Sequence, residues 1–179
     1  MTRTTNLDYA ILGLLEQGAK TGYAIRQVFE QTALGNYSSS PGSIYPALKK
    51  LEKAGFIEKC LPSEGKKRRF ELTAQGKDQL VDWLKAPFPE EDISKHLGEV
   101  LLKFAFMENL LALDKRLQFL ANLAERIEQS LDWLGTIHRD YSHTMSLHSK
   151  LALENGIEGQ KAHLRWAKHA YKTLEESQD

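Results

Sequence analysis

Apolar residues in the first half of the chain recur at helical spacing in short runs. Leu7, Ile11, Leu14 and Leu15 stand at i, i+4, i+7 and i+8, one stripe of an amphipathic helix, and Gln17-Gly18 supplies its stop. Thr21 can cap a second helix in which Ile25, Val28 and Phe29 share a face. Gly35 and the serines Ser38 to Ser40 interrupt the pattern. A third helix follows, with Ile44, Leu48 and Leu51 on its apolar side and Gly55 at its end. Its start has two readings. Ser43 as N-cap leaves Pro46 in the first turn, where a missing N–H costs little. Ser40 as cap, with Pro41 at the first helical position, puts Pro46 deeper, where a hydrogen bond is lost. Local physics favours the later start.

The period then changes. Residues 56–61 alternate as a strand, Pro62-Ser63-Glu64-Gly65 is turn chemistry, and residues 69–73 form the return strand. Thr73 can cap a fourth helix with Leu80, Trp83 and Leu84 on its apolar side. The stretch from Ala86 to Asp92, with prolines at 87 and 89 and acidic residues at 90–92, is a stiff connector. It predicts a boundary between a domain at 1–86 and a second at 87–179.

Beyond the connector the pattern is helical throughout. A helix is predicted from about Ile93 to Leu110, with Leu97, Leu101, Phe104 and Leu111 on one face. Asp114 is the expected cap of the next. From Leu117 a 3-4 alternation runs through Leu120, Ala124, Ile127, Leu131, Leu134, His138, Tyr141, Met145 and His148 to Ala152. It predicts one coiled-coil-like helix, on the order of 60 Å long, ended by Asn155-Gly156. A small domain cannot cover that length, so a partner is expected to. A last helix carries Leu164, Ala167, Tyr171 and Leu174. The fold class is therefore mainly α with a small β-hairpin: an N-terminal winged helix-turn-helix and a C-terminal helical dimerisation domain.

Charge sharpens this picture. The chain has 24 basic and 24 acidic residues, a formal net charge of zero. Residues 1–86 hold 13 Lys+Arg against 9 Asp+Glu, so the front half is basic and the rest acidic. Lys49 and Lys50, with Lys53 one turn on, lie on the polar side of the third helix, and Lys66-Lys67-Arg68-Arg69 opens the return strand. A charge run is ordinarily a solvated face. A helix of this kind beside a basic hairpin tip is the pairing DNA binding requires, a helix for the major groove and cations for phosphate. In an extended run the four wing residues alternate, so two or three at most meet phosphate together. Ser43 and Tyr45 sit at the helix N-terminus, the end that reaches base edges, although capping and packing account for them too.

Cys60 is the only cysteine, which excludes a disulfide and a thiolate cage; a lone strand cysteine reads as a small buried apolar residue. All six histidines follow residue 95. His138, His143 and His148 are five apart, about 140° per step around a helix, so no pair shares a face as metal ligands would. No metal and no cofactor are expected. The sequence holds no nucleophile with a base, no phosphate-cradling glycine loop and no paired carboxylates in a fixed frame, which argues against an enzyme. Without an N-terminal apolar segment or a long apolar run, a cytoplasmic protein without membrane partners is expected.

Three stretches, AILGLLEQGAKTGYAIRQVFE at 10–30, SPGSIYPALKKLEKAGFIE at 40–58 and KKRRFELTAQGK at 66–77, resemble the PadR family of winged-helix transcriptional regulators. The second half, with LKFAFMENL at 102–110 ahead of long helices, is similar to the C-terminal domain of the virulence-gene activator alpha proteins. The wing departs from the family pattern: only Glu64 precedes the basic residues where members often carry more acidic ones. The resemblance implies a bacterial, homodimeric regulator, more often a repressor, whose C-terminal helices hold the dimer. The expected DNA contacts are Tyr9, Tyr23, Ser43, Tyr45, Lys49, Lys50, Lys66, Lys67, Arg68 and Arg69. Tyr9 and Tyr23 enter because they match tyrosines near the family's DNA-facing edge. Leu117, Leu120, Ile127, Leu131, Leu134, Tyr141 and Met145 are the expected dimer seam. The family also implies a planar aromatic effector between domains or protomers, for which Trp83 and Phe88, flanking the hinge, are the candidate residues. The partners are thus double-stranded DNA, a second copy and a small aromatic effector. A winged-helix module that binds protein instead of DNA is the alternative, one that would have no need of the basic wing.

Overall fold

The computed structural model describes residues 4–32, 34, 41–60, 68–88 and 93–177. They fall into two compact units, the first comprising Met1–Pro87 with Leu101–Phe106, the second Phe88–Val100 with Met107–Asp179.

In the first unit, α1 (Asn6–Glu16) opens on a reciprocal cap. The Asp8 N–H donates to Thr5 Oγ1 at 3.3 Å, and the Thr5 N–H donates to the Asp8 carboxylate at 2.6 Å. Gln17 closes it and Gly18 takes a positive φ of 122°. Thr21 caps α2 (Gly22–Gln31), its hydroxyl accepting from the Ala24 N–H at 3.0 Å. A 3-10 turn at Pro41–Ser43 leads into α3 (Ile44–Lys53), so the α-helix takes the later start. Ser43 stands at the cap position with helical backbone and makes no side-chain capping bond. Gly55, at φ 77°, turns the chain into β1 (Ile57–Cys60), which pairs antiparallel with β2 (Arg69–Leu72) in the register Ile57↔Leu72 to Cys60↔Arg69. Cys60 is half-buried rather than buried, since it stands at the end of the strand.

One pairing is absent from the sequence pattern. Lys20 and Phe70 exchange both backbone hydrogen bonds, 3.0 and 2.8 Å, so the α1–α2 connection contributes a bridge to β2. No alternation could signal a strand a single residue long.

Thr73 then caps α4 (Ala74–Lys85) and also joins it to the hairpin. Its hydroxyl accepts from Gly76 N–H at 3.0 Å and donates to Gly55 O at 2.7 Å, and its N–H donates to Phe56 O at 3.1 Å. Gly76 lies so close beneath the Phe56 carbonyl that a Cβ would fall 1.9 Å from the oxygen. Ile11, Leu12, Ile25, Phe29, Ile44, Leu48, Leu51, Ile57, Leu80 and Leu84 make the core.

The second half departs from the expected helices. Ile93–His96 is a 3-10 turn, α5 spans Leu97–Ala105 only, and residues 106–111 turn instead of extending it to Leu110. Phe106 explains the stop within the first unit: its ring lies over Gly13 of α1, 2.5 Å from where a Cβ would stand. Ala112, not Asp114, takes the cap position of α6 (Leu113–Tyr141), and Asp114 sits in the first turn near the positive helix end.

The long seam helix is in fact two. The chain breaks at residues 142–146, and α7 (Leu147–Glu176) runs straight through Asn155-Gly156. Thr144 and Ser146 carry hydroxyls that compete for backbone groups. Thr144 Oγ1 donates to Tyr141 O at 2.8 Å, and Ser146 Oγ caps α7 by accepting from Ser149 N–H at 3.2 Å. Gly156 costs about 1 kcal/mol of propensity in a helix interior, which a helix packed along its length on α6 absorbs. The two helices are antiparallel, with Lys168 Nζ 2.6 Å from Glu128 Oε1 and His138 Nε2 3.4 Å from Glu154 Oε1. Part of the cover assigned to a partner is therefore supplied by the chain itself. Ile93, Val100, Leu123, Ile127 and Ala167 form the core of this unit.

Candidate nucleic-acid interface

α3 divides into two faces. Ile44, Ala47, Leu48 and Leu51 are buried, which fixes the helix roll. Tyr45, Lys49 and Lys53, at i, i+4 and i+8, are consequently turned outward as one stripe. Tyr45 is 51% exposed, unusual for a large ring with a free choice of packing sites.

Lys50 behaves differently from Lys49. Its Nζ is ion-paired with Oδ2 of Asp8, a carboxylate that is fully buried. The same oxygen accepts from Thr5 Oγ1 at 2.7 Å. The pair thus joins the start of α1 to the middle of α3 and engages the charge of the half-buried Lys50 with a buried carboxylate. Lys59 is likewise held 2.7 Å from Glu52, with its ammonium 5.9 Å from the Phe70 ring centre.

On the hairpin, Arg68 and Arg69 are exposed, Arg69 directly opposite Cys60. Lys66 and Lys67 lie outside the described residues. The two tyrosines separate. Tyr9 is half-buried and stacks on Trp83, ring centres 4.3 Å apart and planes 7° from parallel, while its hydroxyl accepts from Gln79 Nε2 at 3.1 Å. Tyr23 is 54% exposed on α2, and its hydroxyl accepts from Gln27 Nε2 at 3.2 Å. Beside it on the outer face of α2 stands Arg26, which is not among the contacts expected from the sequence. The Tyr23, Arg26, Gln27, Glu30 spacing carried the signal: a polar row opposite the buried Ile25 and Phe29. The Arg26 guanidinium is held above its ordinary pKa by the hydrogen bond and charge of Glu30, with smaller contributions from Tyr45 and Tyr23.

The candidate effector rings have partners of their own within their units. Trp83 is buried against Tyr9, with the buried Lys103 ammonium 5.3 Å over it and donating to Ala86 O at 3.1 Å. Phe88 packs on Phe119 at 4.8 Å.

Of the seam residues, Leu120 and Ile127 are fully buried within their own unit, and Leu117, Leu131 and Leu134 half-buried. Tyr141 is exposed and the half-buried Met145 lies in the connecting turn. On the helix ends that flank that turn, Trp133, Tyr141, Leu147 and Leu151 are large apolar side chains left exposed. His138 is half-buried beside Glu154 and His148 is exposed, so neither occupies a dry seam position. No cluster of metal-ligating side chains exists among the described residues, and no helix among them is long and apolar enough to cross a membrane.

The family model described as "Transcriptional regulator PadR-like family" matches residues 11–82. The negative transcriptional regulator PadR of Bacillus subtilis is 32% identical over 170 residues, covering 89% of this chain and 92% of that one. That span takes in the helical unit as well as the winged one. Among solved structures, Bacillus subtilis PadR in complex with operator DNA has a TM-score of 0.42 at 29% identity, covering 97% of this chain and 99% of that one. The Vibrio cholerae virulence activator AphA has a TM-score of 0.42 at 18% identity, covering 96% and 99%.

Proposed function

The chain belongs to the PadR-like family of transcriptional regulators, and on that premise we propose that it is a homodimeric repressor binding a pseudo-palindromic operator. It is a regulator and not an enzyme. The observation that carries the operator reading is the outward stripe of α3, Tyr45, Lys49 and Lys53, set against a core-facing stripe that fixes its direction. In this reading α3 enters the major groove, with Tyr45 toward base edges and Lys49 toward phosphate. Arg68 and Arg69 meet the backbone from the hairpin, joined by Lys66 and Lys67. Residues 1–86 are the DNA-binding part and 87–179 the dimerising part, with the second copy seated on the α6–α7 hairpin.

The repressor sense is supported by the 32% identical relative, a negative regulator matched along 92% of its length. The dimer is supported by Trp133, Tyr141, Leu147 and Leu151, four large apolar side chains that a solitary chain leaves exposed to water.

Titration of the full chain against fragments upstream of its own gene, at two salt concentrations, tests this. Tight, salt-sensitive binding to one fragment over random duplex is expected. Equal, weak binding to every fragment would remove the sequence-specific reading.

A further inference from the structure

We propose that Arg26 is a DNA-backbone contact of this interface, presented by Glu30 and framed by Tyr23 and Tyr45; this rests on the operator-binding reading above. The row along the outer face of α2 is ordered by two hydrogen bonds. Gln27 Nε2 donates to Tyr23 Oη at 3.2 Å, and Arg26 Nε donates to Glu30 Oε1 at 2.8 Å. The row adjoins α3. A Cβ on Gly22 would stand 3.0 Å from the Tyr45 ring, so the start of α2 and the outward ring of α3 are in contact. Arg26 is thus on the first helix of the helix-turn-helix pair, beside the N-terminal end of the second. In such a pair the first helix crosses the sugar–phosphate backbone while the second reads the groove.

An exposed i, i+4 Arg–Glu pair is common and by itself contributes little. The surroundings distinguish this one. Tyr23 and Tyr45, 54% and 51% exposed, keep large rings in water near the guanidinium. A phosphate oxygen placed there meets a planar cation able to bond it through more than one N–H. Glu30 engages Nε–H, and the guanidinium carries four further N–H donors on its terminal nitrogens, a fork suited to phosphate. Glu30 also restricts a long side chain before binding, which lowers the ordering cost of the interaction.

The test uses the full chain with a fragment from upstream of its own gene and a random duplex of equal length, titrated over a salt series. Arg26→Ala is expected to weaken binding to both about tenfold at moderate salt and to flatten the log–log salt slope by about one unit. Arg26→Lys should keep the slope while losing affinity, because the charge remains and the fork does not. Glu30→Gln should keep the slope and bind two- to threefold more weakly on the pre-organisation argument; tighter binding would make Glu30 a repulsive neighbour and overturn its positioning role. Lys85→Ala, an exposed lysine at the end of α4, should change neither quantity. Urea midpoints of all variants should match wild type, and Arg26→Gln replaces Arg26→Ala if the latter shifts. Wild-type slope and affinity in the Arg26 variants, with salt-sensitive binding by the native chain, would overturn the proposal alone. Absence of salt-sensitive binding by the native chain would overturn the operator reading and the Arg26 role with it.

Discussion

Lys50 in the middle of α3 is ion-paired with Asp8 in the first turn of α1, and the carboxylate is wholly withdrawn from water. One oxygen of Asp8 serves three donors: the Thr5 N–H, the Thr5 hydroxyl and the Lys50 ammonium. A helix cap and a long-range tie thus share a single acceptor. The tie fixes how α3 sits on α1, and with it the direction in which Tyr45 and Lys49 point. Adjacent lysines on one helix have opposite duties: Lys49 is in solvent, Lys50 is structural.

Removing one partner of such a pair leaves an uncompensated charge. Lys50→Ala should lower stability by about 3 kcal/mol, measured as a urea midpoint shift at unchanged slope. Asp8→Asn with Lys50→Met should recover much of that loss, because both charges are removed and the volumes kept. If Lys50→Ala unfolds like wild type, the pair contributes nothing and Lys50 is again free to meet phosphate.

The salt dependence of DNA binding should separate the two lysines. Lys49→Ala and Arg69→Ala each remove one cation from the set proposed to face phosphate. Each is expected to flatten the log–log slope by about one unit, with stability nearly unchanged. A fall in affinity for Lys50→Met should come without a slope change. An unchanged slope in Arg69→Ala would place the hairpin away from DNA.

Gly13 and Phe106 are packed so closely that altering either affects the other. A methyl on Gly13 would enter the Phe106 ring, 2.5 Å from its nearest atom. Gly13→Ala should cost about 1–3 kcal/mol by overpacking, and Phe106→Ala about 3–5 kcal/mol by cavity formation. The double variant should be more stable than the sum of the two losses, a coupling readable in a double-mutant cycle. Gly76→Ala, whose methyl would meet backbone at Phe56, has no such rescue and should cost more than Gly13→Ala.

The winged unit was legible because its signals are local. Thr21 and Thr73 cap where their hydroxyls predict, Gly18 and Gly55 take the positive φ that ends a helix, and the 57–60 and 69–72 strands pair on either side of the turn chemistry. The polar half of the site was less so. Nothing in the spacing of Asp8 and Lys50, 42 residues apart, marks them as partners, and Arg26 gains meaning only from the Tyr45 ring brought against Gly22. The helical unit was misread where a period stood in for a path. The 3-4 alternation continues past residue 141, but the hydroxyls of Thr144 and Ser146 bond backbone groups where the chain turns back. The Asn155-Gly156 pair, a stop signal elsewhere, sits inside a helix supported along its length by α6.

That reversal moves the expected dimer surface from the middle of the seam to its turn. Leu120 and Ile127 are covered by their own unit, so substituting them tests folding before it tests assembly. Trp133 at 61% exposure and Leu147 at 68% can be changed without opening that core. Leu147→Glu with Trp133→Glu should leave helix content and the urea midpoint close to wild type, because surface sites away from packed features shift stability by about 0.5 kcal/mol or less. On the proposed dimer reading, the native chain should sediment as a dimer and the same variant, at equal concentration, as a monomer. Binding to a two-half-site operator should fall by about a hundredfold or more, while binding to a single half-site is unchanged, because only the second, intramolecular binding event is removed. A dimer that survives both glutamates would put the interface elsewhere on the helical unit. The next surface to alter would then be the groove of about 310 Å³ between α6 and α7, lined by Leu120, Ala121, Ala124, Ala167, Lys168 and Tyr171.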